Sequence, residues 1–189
     1  MERALQVLVG MDKLARNNPE KVIDLLSERL TFERAGVKLY DAIIAKLVTS
    51  NEPEVHRTLR AMHEHRNHEK EHEEWLEQQI RALGGDAHTE TDLARLATTE
   101  SMGIEAVVLD GDNDPVHLFH ALLAAELADN AGWDLLVALA DEAGDRAAKK
   151  EFKKRLHEEE EHLIFVRRAL ASLAKADVLG EELEMPVRP

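Results

Sequence analysis

The sequence predicts an all-α protein: an antiparallel four-helix bundle with one long crossover between the second and third long helices, preceded by a short N-terminal helix. Three observations carry this. Alanine, leucine and glutamate dominate, while aromatics are only 4% and prolines only five, a mixture that favours helix over strand. Apolar residues recur every three or four positions through four long stretches. Those stretches are joined short, long, short, and short loops join antiparallel neighbours whereas a long one can cross the length of a bundle. At 189 residues, one domain with a single core is the expected organisation.

Residues 2–16, "ERALQVLVGMDKLAR", have helical spacing and stop at Asn17-Asn18-Pro19, so 1–18 is expected to form a leading helix. The bundle is expected over 19–176. Its first helix runs from about Glu20 to Val48, with the inward stripe Leu26, Leu30, Glu33, Val37, Tyr40, Ile44, Leu47. "TSNEP" is the turn. The second helix is expected from Glu54 to Leu83, with the stripe Met62, His65, Glu69, His72, Leu76, Ile80, Leu83 and Gly84-Gly85 as its stop. Residues 86–115 are broken by Gly103, Gly111 and Pro115 and read as a crossover with two short helical patches, "DLARLATT" and "IEAVVLD". Pro115 opens the third helix, whose stripe is Val116, Phe119, Leu123, Glu126, Asn130, Trp133, Val137, Ala140. The fourth runs from about Asp145 to Ala174, with Phe152, Leu156, Glu159, His162, Val166, Ala169, Leu173 facing inward. Residues 177–189 are polar, contain two prolines, and are expected to form a tail at the surface.

A formal net charge of -14 argues against a nucleic-acid backbone or an anionic membrane surface as partner, because both need a basic face. Cations suit it better. There is no cysteine, which excludes disulfides, thiolate zinc sites, cysteine-held iron–sulfur clusters and a cysteine nucleophile. Any metal must be held by imidazole and carboxylate. No secretory pattern and no apolar run of roughly 20 residues is present, so a soluble, cytoplasmic protein is expected. Phosphate-binding glycine loops and nucleophile elbows are also missing.

The stripes contain an internal echo. Glu33 is followed seven residues later by Tyr40, and farther on by Glu69-x-x-His72; Glu126 is followed seven later by Trp133, and farther on by Glu159-x-x-His162. Each half offers one glutamate, then a Glu-x-x-His. Residues three apart on a helix share a face with Cβ atoms about 5–6 Å apart, so such a pair can reach one ion or two adjacent ions. Four carboxylates and two imidazoles would match two divalent cations in charge. Without metal the arrangement is costly, since a lone ionised carboxylate in apolar surroundings must take a proton or a partner. Glu126 sits within "ALLAAELA" and needs such a reason.

Any one of these glutamates, taken alone, is better explained as solvated; the conjunction on four inward stripes makes the metal reading. His65 precedes Glu69 by one turn, and Arg155 is its counterpart. It is assigned to packing at the stripe edge, the role of additional ligand being left open. Tyr40 is read as core that can hydrogen-bond a ligand carboxylate or act in electron transfer, and Trp133 as core. Asn130 is a candidate for orienting a ligand. His63, His68, Lys70, Glu71, Glu73 and Glu74 are read as solvated face.

With these residues in order, the chain resembles the ferritin-like di-iron carboxylate proteins. "EKEHEEWLEQQIRALGG" looks like the second helix of rubrerythrins and bacterioferritins, and "AAELADNAGWDLLVALADEAGD" with "HEEEEHL" resembles stand-alone bacterial ferritin-like proteins. The resemblance spans about residues 20–174. It implies bridging ligands at Glu69 and Glu159, terminal imidazoles at His72 and His162, and terminal carboxylates at Glu33 and Glu126. The implied cofactor is two iron ions, with manganese or a mixed Mn/Fe pair as alternatives. The implied chemistry is reaction with dioxygen or hydrogen peroxide, of oxidase or peroxidase type. Ferroxidase with iron storage, or metal binding without turnover, is the alternative. Rubrerythrins carry a cysteine-rich rubredoxin segment; here an external electron donor must replace it. A homodimer is expected rather than a cage, because the leading helix and the crossover insert are foreign to a minimal ferritin subunit.

Overall fold

Thirty residues beginning at Pro19 form the first helix of the computed structural model, which describes residues 11–109 and 112–188. We label the helices α1 (Pro19–Val48), α2 (Pro53–His56), α3 (Leu59–Ala82), α4 (Asp92–Leu109), α5 (Pro115–Glu142) and α6 (Arg146–Leu179). The described residues contain no strand, and none of these helices is long and apolar enough to cross a membrane.

The core is divided into two apolar clusters. One holds Ile43 and Leu47 of α1, Met62 of α3, Leu118 and Phe119 of α5, and Phe165 and Val166 of α6. The other holds Leu26 and Leu30 of α1, Leu76 and Ile80 of α3, Trp133 and Ala140 of α5, and Phe152 of α6. The order of these residues traces the path: α1 runs from the second cluster to the first, α3 returns, α5 again runs from first to second, and α6 returns. α4 carries the chain between the two hairpins. It begins beside α1, where Leu93 N donates to the Asp24 carboxylate at 3.0 Å, and ends with Val108 in the first cluster. Its contacts are with α1 and α5. Burial of this size supplies most of the stability, at roughly 25 cal/mol per Å² of apolar surface.

Four expectations are corrected. Residues 86–115 contain one 18-residue helix, not two patches. Gly103 does not break it, since that glycine faces open space and costs only about 1 kcal/mol relative to alanine. The helix expected from Glu54 is divided at Arg57-Thr58. There Thr58 Oγ1 donates to the Val55 carbonyl at 2.7 Å, and the amides of Arg57 and Thr58 bond three residues back, tightening the turn. α6 continues past Ala174 to Leu179, because no breaker precedes Gly180. The tail that follows returns to the body: Met185 is buried in the first cluster, and its amide donates to Glu54.

Of the leading helix, residues 1–10 lie outside the described residues. Residues 11–15 form a turn in which Met11 and Ala15 pack into the second cluster. The Asp145 carboxylate anchors this turn. One oxygen accepts from the amides of Lys13 and Leu14, both at 3.1 Å, while the other caps α6 through Ala148 N at 3.1 Å. One side chain thus satisfies a helix N-terminus and an incoming strand of backbone. Asp145→Ala is expected to destabilise the protein by about 1–3 kcal/mol, as read by chemical denaturation, since it removes a cap and leaves two further amides without their acceptor.

Candidate metal centre

Between the two apolar clusters lies a layer of buried polar side chains. Glu33 comes from α1, Glu69 and His72 from α3, Glu126 from α5, and Glu159 and His162 from α6; none is more than 3% exposed. The structure therefore brings together all six residues singled out by the internal echo. Helical phase does this: each lies on the same face as the apolar residues that fill the clusters.

The atoms converge without pairing well. His72 Nδ1 lies 3.0 Å from Glu159 Oε1 and 3.3 Å from Glu33 Oε2. His162 Nδ1 lies 3.2 Å from Glu159 Oε2, 3.3 Å from Glu69 Oε1 and 3.6 Å from Glu126 Oε2. Yet Glu33 Oε2, Glu69 Oε2, His72 Nδ1, Glu126 Oε2, both oxygens of Glu159 and His162 Nδ1 have no well-directed hydrogen bond. Buried polar atoms are normally satisfied, and an unsatisfied one costs about 1–3 kcal/mol. Each of the six residues leaves at least one atom unpaired, and all point into the same small volume.

These atoms form three groups that could hold a metal ion: Glu69, Glu126, Glu159 and His162; Glu33, His72 and Glu159; and Glu33, Glu69, Asp129 and Glu159. Glu159 belongs to all three, and Glu33 and Glu69 to two each.

The outer atoms of the same side chains are held firmly. Tyr40 donates its hydroxyl to Glu126 Oε1 in a short bond, and Trp133 Nε1 donates to Glu33 Oε1 at 2.7 Å. Each aromatic seven residues beyond a glutamate orients the glutamate of the other half. The histidines are supported crosswise too. His72 Nε2 pairs with Glu158 Oε2 at 2.9 Å, and His162 Nε2 with His68 Nδ1 at 3.1 Å. Fixing the outer nitrogen leaves Nδ1 to face the site.

Three residues here were not expected. His68, read as solvated face, is half-buried and stacks parallel to His162. Glu158 was not considered. The usable signal was position: each immediately precedes the glutamate of a Glu-x-x-His. Asp129 is the third, buried where the stripe placed Asn130. Asn130 is only partly buried, belongs to none of the three groups, and its Nδ2 has no partner. Asp129 stands three residues after Glu126, the same offset that joins Glu to His elsewhere. Its Oδ1 accepts from the buried Arg29 at 2.5 Å. His65 belongs to none of the groups either; it stacks on His162 with ring centroids 4.2 Å apart, and Phe165 meets it edge-on.

Two glycines make room. A Cβ at Gly36 would overlap the Glu69 carboxylate, and one at Gly132 would overlap the Arg29 guanidinium.

Burial sets the protonation. It raises Glu69, with the charge of Glu159 adding to it, and likewise raises Asp129 and Glu126. Burial opposes the charged imidazoles, but Glu33 overrides it at His72 and Glu159 at His162, so both are raised. Glu159 moves the other way: the two histidines outweigh its burial and lower it. Tyr40 is raised by burial and by Glu126, which keeps it a neutral donor. Burial lowers His65 to about 2 and keeps it neutral.

The folded chain without metal therefore holds more protons than the unfolded chain. Glu69, Glu126 and Asp129 bind them above the unfolded carboxylate range near 4, and His72 and His162 above 6.5. A state that holds more protons loses stability as pH rises. Metal binding requires the deprotonated groups and runs the other way. The melting temperature of metal-free protein is expected to fall between about pH 6 and 9, and the increment gained on adding metal to grow across that range. Among the groups with lowered values, Glu158 and Glu159 contribute only below this window, while His65 and His68, held neutral, act in the opposite sense near its lower end. Tyr40→Phe and Trp133→Phe should each weaken metal binding roughly 10- to 100-fold in a chelator competition, because each frees a ligand carboxylate from its donor.

Compared with known protein families, curated proteins and solved structures, the chain gives no match.

Proposed function

We propose that this chain is a ferritin-like di-metal carboxylate protein, with two iron ions as the resident pair, that reacts with dioxygen or hydrogen peroxide. The observation that carries the reading is the set of unpaired atoms: each of the six residues leaves one in the same buried layer. The path of the helices also supports it, since two hairpins of opposite-running helices joined by a chain that recrosses the core match the ferritin-like bundle.

In this reading Glu33, Glu69, His72, Glu126, Glu159 and His162 would hold the ions. Mixed carboxylate and imidazole ligands suit iron or manganese. When bound, the pair would supply the electrons for reducing the oxidant, and an external donor would restore them. The chain's own residues do the rest. Tyr40 and Trp133 hold Glu126 and Glu33 in orientation through one carboxylate oxygen each, leaving the other oxygen free. Glu158 accepts a hydrogen bond from Nε2–H of His72, so that Nδ1 offers its lone pair inward. The apolar clusters exclude bulk water from either end.

Protein purified without added metal and reconstituted with Fe(II) is expected to retain two ions per chain and to consume hydrogen peroxide. Glu126→Ala with Glu159→Ala should abolish both while circular dichroism stays helical. Retention of a single zinc, or of no metal, by the unaltered chain would sink the di-iron reading.

A further inference from the structure

A helix that is apolar on every side is one that neighbours cover on every side. α5 has nearly that composition, yet part of it is bare: Leu127 and Leu135 are 44% and 49% exposed, and Ala124, Ala131 and Ala138 are exposed with them. Glu126, Trp133 and Ala140, each two residues beyond one of these alanines, are buried on the other side of the helix. The bare face therefore points away from the polar layer.

This face has an order. It begins at His120 and runs through Ala124, Leu127, Ala131, Leu135 and Ala138 to Glu142, in steps of four, three, four, four, three and four residues. The steps average about 3.7 residues, close to the 3.6 of a straight helix, so the stripe keeps to one side for about 33 Å. Asp134 flanks it. Outward from Ala131 the stripe reads Leu127 and Leu135, then Ala124 and Ala138, then His120 and Glu142. Apolar residues match apolar residues at equal distances from the centre, and an imidazole matches a carboxylate at the ends.

Such a face is complementary to its own reverse. With a second α5 antiparallel to the first and a two-fold axis at Ala131, Leu127 meets Leu135 of the second copy and Ala124 meets Ala138. Alanine at the axis lets the two helices approach closely. His120 then meets Glu142. Glu142 is the last residue of α5, at the negative end of its own helix, where a carboxylate is poorly placed; antiparallel packing sets it beside the N-terminal half of the other. Parallel packing would set Glu142 against Glu142 in a chain whose net charge is already -14.

We propose that this chain forms a homodimer through the outer face of α5, packed antiparallel on itself with Ala131 on the two-fold axis and His120 of each copy against Glu142 of the other. The contact is closed, since each copy uses its one face and assembly stops at two. The buried layer takes no part in it, so the dimer is independent of what that layer holds. One helix pair makes a small interface, and a dissociation constant of about micromolar order is expected.

Light scattering of the full chain from about 5 to about 500 µM brackets such a constant and is expected to rise from one chain mass toward two. Leu127→Glu and Leu135→Glu each set a carboxylate in the seam and should hold the mass at one chain throughout, while circular dichroism stays helical. A monomer at every concentration of the unaltered chain overturns the dimer, and a dimer that survives both variants overturns the choice of face. The sequence has no cysteine, so the register can be read by disulfide trapping. Ala131→Cys should link to itself. Ala124→Cys and Ala138→Cys should each stay unlinked alone, because antiparallel copies hold like positions about 21 Å apart along the axis, and should link when mixed. Self-linking of Ala124→Cys as fast as that of Ala131→Cys would overturn the antiparallel register.

Discussion

The structure depends on one constraint: five carboxylates and two imidazoles are buried in a single layer between two apolar clusters. Charges in such a place are expensive unless paired, protonated or bound to metal. The neighbouring residues respond to that cost. Tyr40 and Trp133 spend their only donors on Glu126 and Glu33. Arg29, 2% exposed, is committed to Asp129 and Glu28. Gly36 and Gly132 give up side chains so that Glu69 and Arg29 can enter. Even so, the inward atoms keep no well-directed hydrogen bond, and together they could hold a metal ion.

The two halves support each other rather than themselves. Tyr40 of α1 serves Glu126 of α5, Trp133 of α5 serves Glu33 of α1, Glu158 of α6 serves His72 of α3, and His68 of α3 serves His162 of α6. Every orienting bond crosses between the hairpins. The geometry of the buried cluster is therefore formed only when the hairpins dock, which couples folding to its assembly. A ligand's position then depends on packing in both apolar clusters, because a shift of either hairpin moves the donors that hold the other.

The clustered positions were legible because α1, α3 and α6 are amphipathic enough for phase to be read: Glu33, Glu69, His72, Glu159 and His162 all fall on stripes whose other members are mostly apolar. α5 is different. Its sequence is apolar nearly all round, so the pattern does not say whether Asp129 or Asn130 faces inward, and the stripe chose Asn130. His68 was misread for a related reason: at a helix–helix seam a residue can be half-exposed and still reach a buried partner. Periodicity sees only the mean direction. The course of α4 was hidden by Gly103, which a local scale reads as a breaker but which tertiary contact on the opposite face overrides. The division at Arg57-Thr58 left no mark in the hydrophobic pattern at all, because both sides keep nearly the same phase.

The support around the layer is also unequal, and the inequality bears on reactivity. On the Glu33 side, Trp133 is fully buried and Phe152 packs against it, while Arg29 and Asp129 form a buried ion pair below. On the Glu126 side, Tyr40 borders a pocket and α4 replaces a full helix–helix seam. His162 carries two stacked imidazoles, His65 and His68, where His72 meets Trp133 edge-on and a carboxylate at its outer nitrogen. A carboxylate behind an imidazole raises its basicity, and a neutral imidazole does so less. The two imidazoles therefore differ in support, His72 backed by a carboxylate and His162 by another imidazole. Internal repetition supplied two similar hairpins; the residues that differ between them, Arg29, Gly36, His68 and Asp129, give the centre a front and a back.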